Sequence, residues 1–306
     1  MDVAVINQIY QIMPEKYVHQ NESMSSHTSF QIGGPAEIYC EPARDELIAL
    51  VAFCRQSAIP MTLIGNGSNL LVSDAGIKGV VIACQKRMNA ISITNESITA
   101  EAGALLGIVA RQAADASLSG MEFAAGIPGS IGGAVIMNAG AYGEEMKDII
   151  VSALVLDKDQ VLRSYSRDEL ELEYRTSKVM RQKGIVIEAS LQLKEGNKNE
   201  IHLYMKELAQ KRMDKQPLSY PSAGSTFKRP EGHFAGQLIQ EAGLLGFSIG
   251  GAEVSTKHGG FVINARQATA EDVFQLMKEV QRRVYEKSGV KLEPEVRLVG
   301  EWREQL

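Results

Sequence analysis

The sequence predicts an α+β fold divided into two domains. The chain has 306 residues, and at about 100 to 200 residues per domain this length favours two domains. Hydrophobic residues make up 44% and charged residues 23%, which is the composition of an ordinary globular chain with a sizeable core. Strand-like and helix-like segments follow one another without the strict strand-helix-strand repeat of a doubly wound sheet.

Apolar spacing predicts the elements of the first domain. A leader extends to about Ser26. Strands are predicted over 36–40, 62–64, 70–72, 79–83, 151–156, 161–165 and 185–193, with a hairpin over 91–102. Helices are predicted over 44–57 and 105–116, where apolar residues recur at helical spacing. The charged stretch 194–200 is predicted to be a linker, which gives a first domain of 1–197 and a second of 198–306.

The second domain is predicted to begin with a helix over 201–213 and to contain a long helix near its end. Thr269 and Asp272 fit a capping box at the start of this last helix, and Gly289 is placed to stop it. One face of the helix carries apolar residues, namely Val273, Leu276, Met277, Val280 and Val284.

Charge and cysteine content exclude several classes of function. The net charge of −5 provides no basic excess for nucleic acid or an anionic membrane. Cys40, Cys54 and Cys84 show no metal-ligand spacing, so we expect no metal, and their odd number indicates reduced thiols in the cytoplasm. The first residues do not resemble a signal peptide. The uncharged run 123–143 is long enough to span a bilayer, but its six glycines predict a loop-rich buried segment instead.

Two glycine-rich segments are candidates for binding a pyrophosphate through main-chain N–H groups. The first covers 65–70 and lacks the third glycine of a Rossmann fingerprint, because Leu70 stands there. The second covers 126–143, and its apolar composition suits a flat ring. Either segment alone is more simply explained as a turn without a ligand. The presence of both favours a dinucleotide.

Six motifs in order resemble the UDP-N-acetylenolpyruvoylglucosamine reductase family. They are HTSFQIGGPA (27–36), GNGSNLLV (65–72), GIPGSIGGAVIMNAGAYG (126–143), YRTS (174–177), SAGSTFKRP (222–230) and LEPEVRLVG (292–300). The resemblance implies a two-lobed FAD-binding domain of the p-cresol methylhydroxylase and vanillyl-alcohol oxidase type, followed by an α+β substrate-binding domain. It also implies non-covalent FAD, with NADPH as co-substrate.

The resemblance assigns FAD contacts to the glycine segments and to one strand residue. These residues are Gly65, Asn66, Gly67, Ser68, Asn69, Leu70, Gly126, Ile127, Pro128, Gly129, Ser130, Gly132, Gly133, Ala134, Asn138, Gly140, Ala141 and Ile187. Oxidases of this fold often tether flavin through His or Cys, but the three cysteines lie in apolar runs or on a helix face and are predicted to be core residues.

Three residues match the catalytic positions of the family. The implied reaction delivers hydride to an enol ether that carries a carboxylate, which Arg175 would hold while Ser225 donates a proton to the α-carbon. Glu295 matches the family's glutamate because it directly precedes Val-Arg, although Glu293 lies two residues earlier. Without the family context, Arg175 is a surface arginine after an acidic run and Ser225 is a turn residue.

Two further residues, Lys215 and His258, match positions that touch the diphosphate end of the substrate in the family, and Arg229 stands at another substrate-binding position. Lys215 is otherwise a solvated helix end, and His258 a hydrogen-bonded loop histidine. Arg229 replaces the asparagine of part of the family. The chain also lacks an inserted tyrosine-bearing segment between Ala235 and His258, so it resembles the shorter branch.

The expected activity is the NADPH-dependent reduction of an enolpyruvyl UDP-sugar in cell-wall precursor synthesis. The expected partners are this UDP-sugar and NADPH, without nucleic acid or membrane. Two alternatives remain open at the level of the sequence. One is a flavin oxidase of the same fold, and the other is a non-catalytic flavin-binding regulator.

Overall fold

The computed structural model describes residues 1–302. Its helices are α1 (Val3–Ile12), α2 (Arg44–Gln56), α3 (Leu106–Asp115), α4 (Ile131–Met137), α5 (Met146–Ile149), α6 (Lys178–Arg181), α7 (Lys198–Lys215), α8 (Ala235–Glu241) and α9 (Ala270–Ser288). Its strands are β1 (Val18–Ser23), β2 (Pro35–Cys40), β3 (Met61–Ile64), β4 (Leu70–Val72), β5 (Ile77–Ala83), β6 (Ile91–Thr94), β7 (Ser97–Glu101), β8 (Leu118–Ser119), β9 (Gly140–Ala141), β10 (Glu144–Glu145), β11 (Ile150–Leu156), β12 (Leu162–Ser166), β13 (Ile185–Gln192), β14 (Lys194–Glu195), β15 (Ser248–Ile249), β16 (Ala252–Val254), β17 (Val262–Asn264) and β18 (Arg297–Val299).

The chain forms two compact units, each built from several segments. The first unit comprises Met1–His19, Ile38–Asn66 and Gly79–Arg212, and the second comprises Gln20–Glu37, Gly67–Lys78 and the chain from Met213 onward. Two N-terminal segments therefore belong to the second unit. These units are defined by which segments pack together. The domain boundary between residues 197 and 198 stays a prediction.

A five-stranded antiparallel sheet of order β12-β11-β13-β7-β6 supports one core of the first unit. At its centre Ala189 lies opposite Ala153 on one side and Ala100 on the other. The small side chains let α4 pack directly on β13, where α4 supplies buried Ile131 and Val135 to the core. The strand prediction for 185–193 is confirmed by β13, in which Ile185, Val186 and Ile187 are all buried and burial alternates from Ile187 onward.

A four-stranded sheet of order β1-β2-β5-β3 contains a parallel pair, in which Met61 lies opposite Val80 and Ile64 opposite Ala83. A second core of the first unit combines this pair with α1 and α2. The predicted leader over 1–26 is therefore wrong. Ile6 and Ile9 of α1 are buried in this core, and the polar sequence of β1 concealed a strand.

The predicted linker over 194–200 is also wrong. β14 pairs with β8, and Gly196 N donates to Ser117 O at 2.8 Å. This pairing is made by main-chain groups. The side chains of Lys194 and Glu195 remain exposed, so charged residues are compatible with a strand here. Helix α7 then begins at Lys198 and contains the predicted helix over 201–213.

The uncharged run 123–143 is less loop-rich than predicted, because α4 lies within it. Two consecutive glycines near the start of α4 conceal its helical pattern. In the described residues, no helix combines the length and apolar character needed to cross a membrane.

The second unit packs around α9. Val273, Met277 and Val280 of α9 are buried against the antiparallel sheet β15-β16-β17 and helix α8. The predicted capping box is confirmed, since Thr269 Oγ1 accepts a hydrogen bond from Asp272 N at 3.0 Å. Gly289 ends the helix in the left-handed conformation, as predicted.

We expect Thr269→Ala to lower the free energy of unfolding by about 1 kcal/mol, because the first turn of α9 loses its N-cap. Urea denaturation followed by circular dichroism measures this change. Thr269→Ser keeps the hydroxyl and serves as the control. If alanine and serine variants unfold at the same urea concentration, the cap does not stabilise the unit.

Candidate functional site

The two glycine-rich segments meet within the first unit. Asn66 Nδ2 donates to Pro128 O at 2.7 Å. A Cβ atom at Gly65 would lie 2.3 Å from Ser130 Oγ, so a side chain there would force one of the two to move. The structure therefore brings the beginning of the first segment against the second, as a shared pyrophosphate site requires.

The second segment presents its main chain outward around a buried hydroxyl. Gly126, Pro128 and Gly133 are exposed, and Ile127 and Gly129 are half-buried. Ser130 is 1% exposed, and its Oγ has no hydrogen-bond partner in the described part of the chain. A buried hydroxyl without a partner is costly, and an anion that reaches it would satisfy it. This arrangement fits the phosphate of a dinucleotide.

The remaining predicted cofactor residues differ in how they are placed. Gly132 and Ala134 are buried in α4, while Gly140 and Ala141 form β9 and are half-buried. Asn138 is fully buried, and its side-chain amide donates to Glu145 Oε2 at 2.7 Å. The Ile187 side chain lies in the core of the first unit, and its carbonyl accepts from Ala102 N. Any contact of Asn138 or Ile187 with a cofactor would therefore be made by the main chain.

The end of the first segment belongs to the second unit. Gly67 has φ +62°, and a Cβ atom there would lie 1.9 Å from His27 O. The fold itself therefore requires glycine at this position. Ser68 and Asn69 follow as half-buried residues before Leu70, the first residue of β4.

Arg175 lies on a tight turn tied to the glycine segment of the first unit. Its φ is +56°, and Glu173 and Thr176 exchange main-chain hydrogen bonds across it. Ser177 Oγ donates to Ile136 O at 2.9 Å, and Asn138 Nδ2 donates to Glu173 O at 3.3 Å. The guanidinium carbon of Arg175 lies 5.0 Å from the ring centre of the exposed Tyr174. This left-handed turn holds Arg175 beside the predicted cofactor segment.

Two glutamates of the acidic run before Arg175 pair with residues other than Arg175. Glu171 pairs with Arg181 and Lys178, and Glu169 accepts hydrogen bonds from Ser166. The turn and the contact with the ring of Tyr174 both contribute to the placement of Arg175.

Ser225 and Glu295 are brought together in the second unit by a short antiparallel ladder. Lys228 N donates to Glu293 O at 2.8 Å, and Glu295 N donates to Thr226 O at 2.9 Å. Ser225 is exposed next to this ladder, and its hydroxyl has no hydrogen-bond partner among the described residues. A turn residue would use that hydroxyl locally, and Ser225 does not, so its hydroxyl is open to a bound ligand.

The two candidate glutamates have different surroundings. Glu293 is exposed, and one of its carboxylate oxygens lies 3.2 Å from Lys228 Nζ. Glu295 is half-buried, and its carbonyl accepts from Asn69 Nδ2 at 3.0 Å. Asn69, assigned to the cofactor from the sequence, thus fixes the backbone of the predicted catalytic glutamate.

Thr226, to which the sequence analysis gave no role, holds the segment that carries Ser225 in place. It is 1% exposed, its N–H donates to Gly260 O at 2.8 Å, and its Oγ1 accepts from Val262 N at 2.9 Å. It therefore links the segment of Ser225 to the turn after His258 and to Glu295. Its position between Ser225 and Phe227 is the only signal in the sequence.

His258 and Lys215 lie near each other in the second unit. His258 Nδ1 accepts from Gly260 N at 3.1 Å, and its ring packs edge-on against Phe261. Burial and the positive charge of Lys215 both lower the pKa of His258 below its usual value. Lys215 is exposed at the end of α7.

Arg229 forms an exposed pair with an aromatic ring. Its guanidinium carbon lies 4.0 Å from the ring centre of Phe234, and its Nε donates to His233 O at 3.4 Å. Phe234 is 56% exposed at the start of α8. Arg229 is thus held at the surface of the second unit with its aromatic partner.

The three cysteines are buried core residues, as predicted. Burial raises the pKa of the Cys40 and Cys84 thiols to about 12 and that of Cys54 to about 11. Such thiols remain protonated at neutral pH and are poor nucleophiles.

Family models match both the N-terminal and the C-terminal part of the chain. A family model described as FAD binding domain matches residues 37–164, and one described as UDP-N-acetylenolpyruvoylglucosamine reductase, C-terminal domain, matches residues 216–299. Together with the fold, they define a flavin-dependent oxidoreductase, which uses FAD and NADPH.

Similarity to complete proteins identifies the family. The UDP-N-acetylenolpyruvoylglucosamine reductase of Agathobacter rectalis is 50% identical and covers 99% of this chain and 100% of its own. The structure of UDP-N-acetylenolpyruvylglucosamine reductase from Thermus caldophilus is 37% identical, with a TM-score of 0.78 over 90% of this chain and 97% of its own. The chain belongs to the UDP-N-acetylenolpyruvoylglucosamine reductase family.

A more distant structure shares part of the fold. A variant of Phl p 4, a glucose oxidase, is 12% identical and has a TM-score of 0.50 over 63% of this chain and 44% of its own. At this identity the likeness concerns the fold alone, and it agrees with the predicted oxidase-type FAD-binding fold.

We expect the His258 imidazole to titrate below pH 6.5 and to be neutral at pH 7. Because the unfolded chain then binds the proton more readily, the stability due to neutral His258 is complete above about pH 6.5 and declines as the pH falls. NMR titration of the histidine Cε1–H signals measures the pKa, with His258→Gln assigning the resonance. Lys215→Gln should raise the pKa part of the way toward 6.5. Titration at or above pH 6.5 contradicts the prediction.

Proposed function

We propose that this chain reduces UDP-N-acetylglucosamine enolpyruvate to UDP-N-acetylmuramate with NADPH, and that Arg175, Ser225 and Glu295 carry the reaction. The single observation that most supports this proposal is the ladder that holds Ser225 next to Glu295 while leaving the serine hydroxyl without a partner. The assay that tests it is loss of NADPH absorbance that strictly requires the enolpyruvyl substrate. NADPH oxidation that proceeds equally without the substrate contradicts it.

The glycine segments would hold the FAD pyrophosphate through main-chain N–H groups and the Ser130 hydroxyl. The meeting of Gly65 with Ser130 and the outward main chain of 126–133 support this assignment. Bound FAD supplies the group that accepts hydride from NADPH and delivers it to the substrate. Non-covalent binding agrees with the buried, protonated thiols, which cannot form a flavin tether.

Arg175 would bind the substrate carboxylate in two-pronged geometry. As hydride reaches the β-carbon, negative charge spreads from the α-carbon into that carboxylate, and a fixed guanidinium stabilises it. The left-handed turn at Arg175 limits its movement, so little reorganisation is needed when the charge develops.

Ser225 would complete the reduction by transferring its hydroxyl proton to the α-carbon. The new C–H bond forms as the Oγ–H bond breaks, and the carbanionic α-carbon is basic enough to take a proton from a weak acid nearby. Glu295, on the adjoining strand segment, is placed to orient the hydroxyl or the substrate.

Lys215, Arg229 and His258 would form the end of the site that receives the substrate diphosphate. The mutual electrostatic influence of Lys215 and His258 supports a common location for these two. The ring of Phe234, held under Arg229, provides an exposed aromatic surface. We propose that the reaction takes place in the cytoplasm, where reduced thiols and NADPH are present, and without a nucleic-acid or membrane partner.

We expect Gly129→Ala to weaken FAD binding roughly tenfold or more, because the added Cβ atom would keep a phosphate oxygen away from the main-chain N–H groups, which costs about as much as one hydrogen bond to a charged group. A Cβ atom at Gly129 would make only ordinary contacts, the nearest at 3.4 Å to Leu106 Cδ1, so the apoprotein should fold normally. Isothermal titration of apoprotein with FAD measures the affinity, and thermal unfolding of the apoprotein checks the fold. Gly67→Ala gives the contrast, because it should destabilise the apoprotein as well.

Retention of wild-type FAD affinity in Gly129→Ala would remove this residue from the cofactor site. Flavin that stays attached to acid-precipitated protein would contradict non-covalent binding.

We expect Ser225→Ala to separate the two halves of the reaction. Bleaching of the flavin absorbance by NADPH should proceed at a near-normal rate, because the serine is not needed there. Recovery of the absorbance on adding the enolpyruvyl substrate should slow roughly 10²-fold or more, the scale of a lost general acid. Stopped-flow absorbance measures both steps. If both steps slow equally, or recovery stays fast, Ser225 is a structural residue.

A further inference from the structure

A half-buried arginine lies directly against the second glycine segment in the first unit. Arg212 is located near the end of α7. A Cβ atom at Gly126 would lie 3.2 Å from Arg212 Cδ and 3.3 Å from its Nη1. The guanidinium therefore adjoins the exposed main chain at the start of the proposed pyrophosphate loop.

Within the described residues, the Arg212 side chain has neither a carboxylate partner nor a hydrogen bond. Burial lowers the pKa of its guanidinium, with the Tyr142 phenol acting in the opposite direction. Several other arginines of the first unit are paired, as Arg44 is with Glu188 at 2.7 Å and Arg163 with Asp157 at 2.6 Å. A partly desolvated cation without a partner is unfavourable until an anion arrives.

Tyr142 fixes this arrangement from the other end of the glycine segment. Its φ is +58°, and its hydroxyl donates to Leu208 O at 3.1 Å, one helical turn before Arg212. The segment thus contacts α7 both at Tyr142 and at Gly126. The last turns of the helix are held in place by the loop that they adjoin.

We propose that Arg212 binds a diphosphate, as a guanidinium fork completing the main-chain cradle at Gly126, and that Tyr142 positions it. Arg212 presents two or more donors in a plane, which matches phosphate oxygens. The proposal rests on the proposed function, because it takes the glycine segment as a cofactor loop. Two diphosphates have this chemistry, that of FAD and that of the UDP-sugar.

The test compares Arg212→Gln with Lys211→Gln, which removes the same charge from an exposed neighbour on the same helix. FAD binding to apoprotein and binding of uridine diphosphate to the flavin-loaded protein are both measured by isothermal titration. We expect Arg212→Gln to weaken one of them roughly 10- to 100-fold, and Lys211→Gln to change each less than about twofold. Weaker FAD binding identifies the cofactor diphosphate, and weaker uridine diphosphate binding identifies the substrate.

Two further variants keep the result interpretable. Arg212→Lys retains the charge without the fork and should recover part of the lost affinity, which shows that folding is intact. Tyr142→Phe should weaken the same ligand severalfold in the wild-type background and have no effect in Arg212→Gln, because it acts through the arginine.

Unchanged binding of both ligands in Arg212→Gln overturns the proposal, as does equal loss in Lys211→Gln. None of these measurements requires turnover, so a failure of the proposed reaction and a failure of this assignment are distinguishable.

Discussion

The proposed cofactor site depends on glycines whose backbone lies so close to neighbouring residues that there is no room for a side chain. A Cβ atom at Gly132 would lie 2.9 Å from Ala102 Cβ, and one at Gly65 would lie 2.3 Å from Ser130 Oγ. Small residues at the centre of the sheet allow α4 to rest on β13, and this contact sets the position of the glycine segment in front of α4. A surface made of backbone can approach phosphate oxygens from several directions without cationic side chains.

A different constraint organises the second unit. Ser225 and Glu295 are 70 residues apart in the chain, and the pairing of two short extended segments makes them neighbours. The carbonyl of the buried Thr226 takes part in this pairing, while its N–H and its hydroxyl bond to Gly260 and Val262. Because these bonds are buried, the hydroxyl of Ser225 is presented from a fixed backbone.

Helices and strands could be predicted from the sequence where their apolar residues recur with a regular spacing. They could not be predicted where main-chain hydrogen bonds alone define a strand. Helix α9 and strand β13 were predictable because each buries one face or alternate residues. Strand β14 was not, since its exposed charged side chains conceal a main-chain ladder, and α1 is short and followed by a polar strand. The candidate site residues came from family motifs. The geometry of these residues could not be predicted, because the hydrogen-bond partners of Thr226 lie 34 to 70 residues away in the chain.

The net charge of −5 explains why composition alone gives no sign of the anionic ligands that this family uses. Whether an individual cationic side chain is paired with a carboxylate, and not the net charge of the chain, decides where anions bind. An arginine that faces a carboxylate has most of its field cancelled, as Arg282 has between Glu279 and Glu286. Arg212 has no such partner among the described residues, so its field acts on the glycine segment beside it. An acidic chain can therefore hold a diphosphate with backbone N–H groups and one partly desolvated guanidinium.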